Sequence, residues 1–404
     1  MRRGSISNIY IYIITFLLVF PINLVQSEVS MLALPISLVL TIPSVLYFII
    51  SKNEEKKFLS LAIIFSLLAI IYVTLSSGGA SYKPFLSAMF FFLPITFYYF
   101  VLKIVNNRAV FEKSLTYLSY NIIIFTIIFF FSIFFEFSGI IRTEGTLNGT
   151  IFGMRLVGSY GVHTLGSQMF IMIFILIFTI NKNLLSKKIK LLSLLCILIL
   201  TYIIIMSLSR ELVLGLIILY AFISLKKYGV LKTILMFLFL SLLISLFLSD
   251  LISIILLNWE TKITTSRTSD LNELSSGRLD LQFLALQQIM NNPFFATGFH
   301  GYTLDFRSYK GYDDLEGWST HVYFLTALWK MGMVAFFFFS LFFYKIVIAI
   351  KKTVILNREE KTLYYIFIVA FFVVNLFWDA LLASNVMMLF LFIVGMYKFD
   401  ILKK

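Results

Sequence analysis

Charge is scarce in this chain: Asp, Glu, Lys and Arg make up 13% of its 404 residues, while 60% are hydrophobic. Soluble domains carry about twice that share of charge, so a soluble globular fold is excluded. Cysteine is scarcer still. Cys196 stands alone within an apolar run, which excludes a disulfide framework and leaves any outer loop to be held by packing and hydrogen bonds. Only three histidines occur, with no His-x-x-x-His or Cys/His spacing, so no zinc pattern is present and no metal site is expected. The apolar runs lack the polar–apolar alternation of a transmembrane barrel. No internal repeat is visible, in particular no matching pair of Gly/Pro-broken spans as many secondary transporters show. No small-residue cleavage site follows the first apolar run, so no cleavable signal peptide is expected.

What the chain has in abundance is long apolar segments. A hydrocarbon core of about 30 Å is crossed by about 20 helical residues. Twelve runs suit that task, near 8–25, 30–50, 58–76, 84–103, 115–137, 161–180, 190–208, 211–225, 230–250, 321–345, 362–378 and 383–400. The expected fold is therefore an all-α polytopic integral membrane protein of about twelve transmembrane helices. Nine spans fall in residues 1–250, and the last three in 321–404.

Most of the 33 basic residues gather in alternate connections, among them Arg2 and Arg3, Lys56 and Lys57, Lys187 and Lys188, Lys226 and Lys227, Lys351 and Lys352, and Lys403 and Lys404. This bias predicts cytoplasmic N- and C-termini. The net charge of +13 is thereby a topology signal, and it gives no reason to invoke nucleic acid.

On the opposite side two connections stand out, a medium loop at 139–160 and a large one at 251–320. Long loops carry function more often than they merely connect. Within the large loop, "RLDLQFLALQQIMNN" repeats Leu279, Phe283, Leu286 and Met290 at helical spacing. Asp280 suits the start of that helix and Pro293 stops it. An amphipathic helix lying on the outer membrane surface, or capping the bundle, is expected.

"SLSRELVLGL" sets Arg210 and Glu211 beside a span that Lys226 and Lys227 close on the cytoplasmic side. Residues 211–225 make about 22 Å of helix, so Arg210 is expected in a recess below the outer surface. A charge at that depth faces a partner, here Glu211 or lipid headgroups, or else it forms an anion site. Arg142, Arg155 and Arg278 lie on the same side, and a guanidinium fork suits phosphate oxygens. At Arg278 a helix N-terminus adds backbone N–H groups. His163, His300 and His321 are all outer as well, and imidazole is the usual group for moving protons near neutral pH.

"SSGRLDLQFLALQQIMNNPFFATGFHGY", followed by "THVYFLTALWKMGMVAFF", resembles the signature region of the bacterial O-antigen polymerase and O-antigen ligase family. "SLSRELVLGL" is similar to the family's Ser-Arg at the head of a span, and "RLVGSYGVHTLG" to its Arg-x-x-Gly segment. The resemblance spans roughly residues 155–340. It implies a metal- and cofactor-independent glycosyltransferase in the bacterial inner membrane. Its site would be periplasmic and its donor a glycan on undecaprenyl pyrophosphate.

By that resemblance Arg210 and Arg278, with Arg155, would hold the pyrophosphate. His321 would orient or deprotonate the acceptor hydroxyl, and Tyr302 and Trp318 would stack on sugar rings. Two positions depart from the family pattern. Val322 stands where an amide or hydroxyl residue commonly follows the histidine, and Lys330 where an acid often precedes the glycine. Polymerase is the favoured activity, with ligase as the alternative and a flippase of lipid-linked oligosaccharide as a further one. Membrane lipids, and for a polymerase a chain-length regulator, are the expected partners. A flippase would place several charges near mid-bilayer, where Glu136 and Asp379 are the residues to inspect.

Overall fold

Helices form where the apolar runs lie, because in hydrocarbon each backbone N–H and C=O must be paired within its own segment. In a computed structural model of the chain, the described residues are 3–20, 23–25, 34–77, 82–135, 141–146, 154–158, 162–207, 209–247, 278–301 and 320–398. They carry twelve α-helices: α1 (Arg3–Val19), α2 (Thr41–Ile50), α3 (Glu54–Ser77), α4 (Lys83–Ile104), α5 (Arg108–Phe135), α6 (Val162–Asn181), α7 (Lys187–Met206), α8 (Arg210–Phe247), α9 (Arg278–Asn291), α10 (Tyr323–Lys352), α11 (Arg358–Phe377) and α12 (Ser384–Gly395).

Seven of these, α3, α4, α5, α7, α8, α10 and α11, are long and apolar enough to cross a membrane. Shorter apolar helices lie within α1, α2, α6 and α12. The expected eighth and ninth spans are continuous as α8, broken by Gly229 at φ 78°. In the apolar windows of α3 and α7 only 28% of residues are buried, and side chains such as Leu75 and Leu198 point outward. Such exposure is tolerable only where the surrounding solvent is itself hydrocarbon.

The chain is not purely helical. Among the described residues two strand pairs interrupt it, β1 (Asn23–Val25) with β2 (Leu34–Pro35), and the antiparallel β3 (Ile141–Thr146) with β4 (Met154–Gly158). The second pair occupies the medium loop, where only a connection was expected. Backbone pairing there satisfies groups that a loop near the bilayer would leave bare, and the register sets Glu144 opposite Arg155.

The helices group into two units. One comprises residues 1–33, 112–276 and 358–374. Its core is α6, whose Met169 to Leu176 are at most 1% exposed. Phe174 stacks on Phe367 at 4.1 Å, and Phe170 lies against Phe367 and Phe371. Gly215 lets α8 approach closely, since a Cβ there would lie 2.5 Å from Val374 Cγ2. Gln168 Nε2 donates to the Leu18 and Val19 carbonyls, both at 2.9 Å, closing the end of α1. Lys182 and Glu360 form a buried ion pair at 2.9 Å.

The other unit comprises residues 34–111, 277–357 and 375–404. Its centre is α12, too short to span a bilayer alone and buried throughout. Lys398 pairs with Glu55, and Lys345 with Glu54 at 3.7 Å. Within each unit, then, the paired residues come from connections that the charge pattern assigned to one common side.

α10 breaks at Gly332 (φ 78°), and the segment after α9 straps across the break. Thr297 donates to the Trp329 carbonyl through its N–H at 3.1 Å and its hydroxyl at 2.9 Å. The Phe299 N–H donates to Lys330 O at 3.0 Å, and the Met333 N–H to Pro293 O at 2.9 Å. The strap supplies the partners that the broken helix lacks.

The amphipathic helix is present as α9, and it packs on α10 through a second apolar face. Leu281, Ala285 and Ile289 are buried with Trp329, whereas Phe283 and Met290 are 62% and 71% exposed. The short Ala285 allows close approach to α10, and Trp329 Nε1 donates to Gln288 Oε1 at 2.6 Å. Phe283, Leu286 and Met290 of the stripe are thereby left outward, as suits a helix lying on the membrane surface.

Candidate active site

Among the described residues, Ala296, Phe299 and His321, in and around the strap, are non-glycine residues with positive φ. His321 has φ 58°, a conformation that costs an L-residue about 1–2 kcal/mol and persists only where the surroundings over-determine it. Those surroundings are buried hydroxyls at the head of α10. The Thr320 N–H donates to Thr326 Oγ1 at 3.0 Å, the two hydroxyls meet at 2.9 Å, and Thr320 Oγ1 donates to the Val322 carbonyl at 3.1 Å. Both threonines are fully buried. The imidazole stacks on Trp378, with ring centroids 5.1 Å apart and planes at 26°.

Gln282, one turn into α9, donates through Nε2 to the Thr320 carbonyl at 3.4 Å. That contact brings the first turn of α9, which Arg278 opens, to the residue preceding His321. Two residues that the sequence singled out therefore start helices whose heads meet.

Seven residues beyond the head of α10, Lys330 is buried. Its Nζ lies 3.4 Å from Ser87 Oγ and over the rings of Phe299 and Trp329 at 5.9 and 6.0 Å, with Asp379 within electrostatic reach. An acid thus accompanies the lysine that departs from the family pattern. Asp379 sits in the turn after α11 rather than in mid-span. Glu136 lies outside the described residues.

His300 is different in kind. Its Nδ1 meets the Thr297 and Gly298 carbonyls at 3.1 and 3.0 Å, and its Nε2 meets Thr74 Oγ1 at 3.1 Å. Both nitrogens serve the fold, which leaves none for proton transfer. His163 lies in the first turn of α6.

Arg210 opens α8 and Arg155 lies on β4, both in the first unit. β4 packs against α6 and α7, and the heads of α6 and α8 meet where a Cβ on Gly166 would fall 2.3 Å from Leu212 Cδ1. Arg210 is exposed rather than recessed, while Glu211 beside it is only 6% exposed. Among the described residues no ion pair joins the two. Tyr302 and Trp318 lie outside the described residues, as does most of the large loop.

Trp378, Thr320, Thr326 and Gln282 escaped the sequence reading. An aromatic residue at a span end reads as interfacial anchoring, and threonines at a helix head read as capping. Their convergence on His321 is a tertiary fact.

Among the described residues, seven helices long and apolar enough to cross a membrane make this an integral membrane protein. Residues 194–340, from within α7 to within α10, match the family described as O-antigen ligase. The match covers a little over a third of the chain, includes Arg210, Arg278 and His321, and supports the O-antigen ligase and polymerase family. That family implies a glycan-transferring enzyme acting on lipid-linked polysaccharide, and the match lends no support to a flippase. Among curated proteins none matches the chain.

Proposed function

We propose that the protein is an O-antigen polymerase of about twelve spans, working at the periplasmic face of the bacterial inner membrane. It transfers a growing glycan from undecaprenyl pyrophosphate to a lipid-linked repeat unit. The observation that carries this reading is His321, held at φ 58° at the head of α10 with the α9 N-terminus beside it, inside the segment that matches the family.

In the proposed reaction the acceptor hydroxyl attacks the anomeric carbon while the bond from that carbon to the phosphate oxygen breaks. The hydroxyl proton passes to His321, and undecaprenyl pyrophosphate leaves with the bonding electrons. Arg278, at the N-terminus of α9, offsets the charge that grows on the leaving group. Arg210 and Arg155 join this reading through the family resemblance, each from its own place in the first unit, and Tyr302 and Trp318 through the same resemblance as sugar-stacking residues. No step requires a metal or an organic cofactor. A groove of about 530 Å³ lined by Pro293, Phe294, Met333, Val334, Phe337 and Phe338 suits an isoprenoid chain.

The second reading, transfer of finished polymer to lipid A-core, is favoured by the matching family's description as O-antigen ligase. Deleting the gene and separating lipopolysaccharide by electrophoresis distinguishes the two. A single repeat on the core is the expected result; bare core, with polymer still on its lipid, identifies a ligase. An unchanged ladder would refute both.

A further inference from the structure

We propose that Trp378 is a positioning residue for His321, setting the plane of the imidazole for proton transfer; the inference rests on His321 being the acceptor-activating group. The two rings come from different elements. His321 lies at the head of α10, and Trp378 in the turn that follows α11.

That turn is fixed independently of the histidine. The Leu381 N–H donates to Oδ1 of the fully buried Asn375 at 3.1 Å, and the Leu382 N–H donates to the Asp379 carbonyl at 2.9 Å. The backbone of His321 is fixed from its own side by Thr320, Thr326 and Gln282. With backbones held on both sides, the ring stack determines the remaining freedom, the side-chain torsions of the histidine. Near-parallel stacking occupies a face of the imidazole rather than its edge, where the nitrogens lie; Nδ1 is buried.

A purely packing role predicts a different outcome from a positioning one. The test uses the full-length protein, purified in detergent, with lipid-linked glycan extracted from a strain deleted for the gene. Trp378→Leu keeps an apolar side chain and removes the ring face, whereas Trp378→Phe keeps a face. For the Leu variant we expect kcat to fall about three- to tenfold with an unchanged KM, the fold-range of an aromatic pair. The Phe variant should recover most of the loss. If the Leu variant does not elute as folded protein, Trp378→Met takes its place with the same expectation.

Wild-type kcat in the Leu variant overturns the proposal, and so does a rise in KM alone, which would make the indole a substrate contact. His321→Ala is assayed in parallel. An inactive His321→Ala beside a fully active Trp378→Leu refutes the positioning role only, whereas an active His321→Ala refutes the parent reading and this one with it.

Discussion

Gly229 and Gly332 offer a matched pair for testing what holds the strap across α10. Both have φ 78°, so replacing either with alanine forces an L-residue into the same left-handed conformation, at about 1–2 kcal/mol. They differ in what the new methyl meets. At Gly229 nothing lies within 4 Å of an added Cβ. At Gly332 the Cβ would lie 2.1 Å from the Phe294 carbonyl oxygen, 2.7 Å from its carbon and 2.8 Å from Phe295 Cα. All three are backbone atoms, so no rotamer change can relieve the clash and the strap itself must move.

Moving it breaks the bonds from Met333 to Pro293, from Phe299 to Lys330 and from Thr297 to Trp329. At about 1 kcal/mol for each of these four bonds, two of them from Thr297, their loss brings the cost of Gly332→Ala to about 5–6 kcal/mol, against about 1–2 kcal/mol for Gly229→Ala. Thermal unfolding in detergent, followed by tryptophan fluorescence, reads the difference, because Trp329 is fully buried beneath the strap. Gly332→Ala should melt well below Gly229→Ala, and polymer formation should fall with it. Equal melting temperatures for the two variants would show that the strap yields without loss, and the account of the broken helix would fail.

Arg278→Lys keeps the charge and removes the planar fork, so polymer chains should shorten or disappear on electrophoresis; wild-type ladders would argue against a bidentate phosphate contact. His321→Ala should abolish transfer while the protein remains inserted, whereas His300→Gln should lower the melting temperature and leave transfer largely intact. The reverse pattern would exchange their roles. Lys182→Ala strands the Glu360 carboxylate in a buried site and should destabilise the first unit by about 3–5 kcal/mol. Labelling of the buried Cys196 by a thiol dye during heating follows that loss, and adding Glu360→Leu should restore part of it.

The membrane-spanning character, the grouping of basic connections and the existence of α9 were legible in the sequence because each is a one-dimensional property; of the twelve expected spans, seven helices among the described residues are long and apolar enough to cross. Hydropathy over about 20 residues reports the need to bury backbone polar groups, and the distribution of Lys and Arg reports topology. Arg278 and His321 were legible as residue types at helix starts. The strand pair in the medium loop was not, since its pairing joins segments of weak alternation. The face by which α9 packs on α10 was not legible, because the helix is apolar on more than one side. Only the partner surface, Trp329 and the strap, selects Leu281, Ala285 and Ile289 over Phe283 and Met290.

By itself the sequence determined that this chain lives in a membrane, where its helices lie, and which arginines and histidines are candidates for work at their ends. Tertiary structure alone decided that His300 is consumed by hydrogen bonds to its own strap and to Thr74, whereas His321 is strained and stacked on Trp378. The physical reason is that a side chain's chemistry depends on what occupies its hydrogen-bonding atoms and its faces. Those neighbours, Thr74 for one histidine and Trp378 for the other, lie far away along the chain.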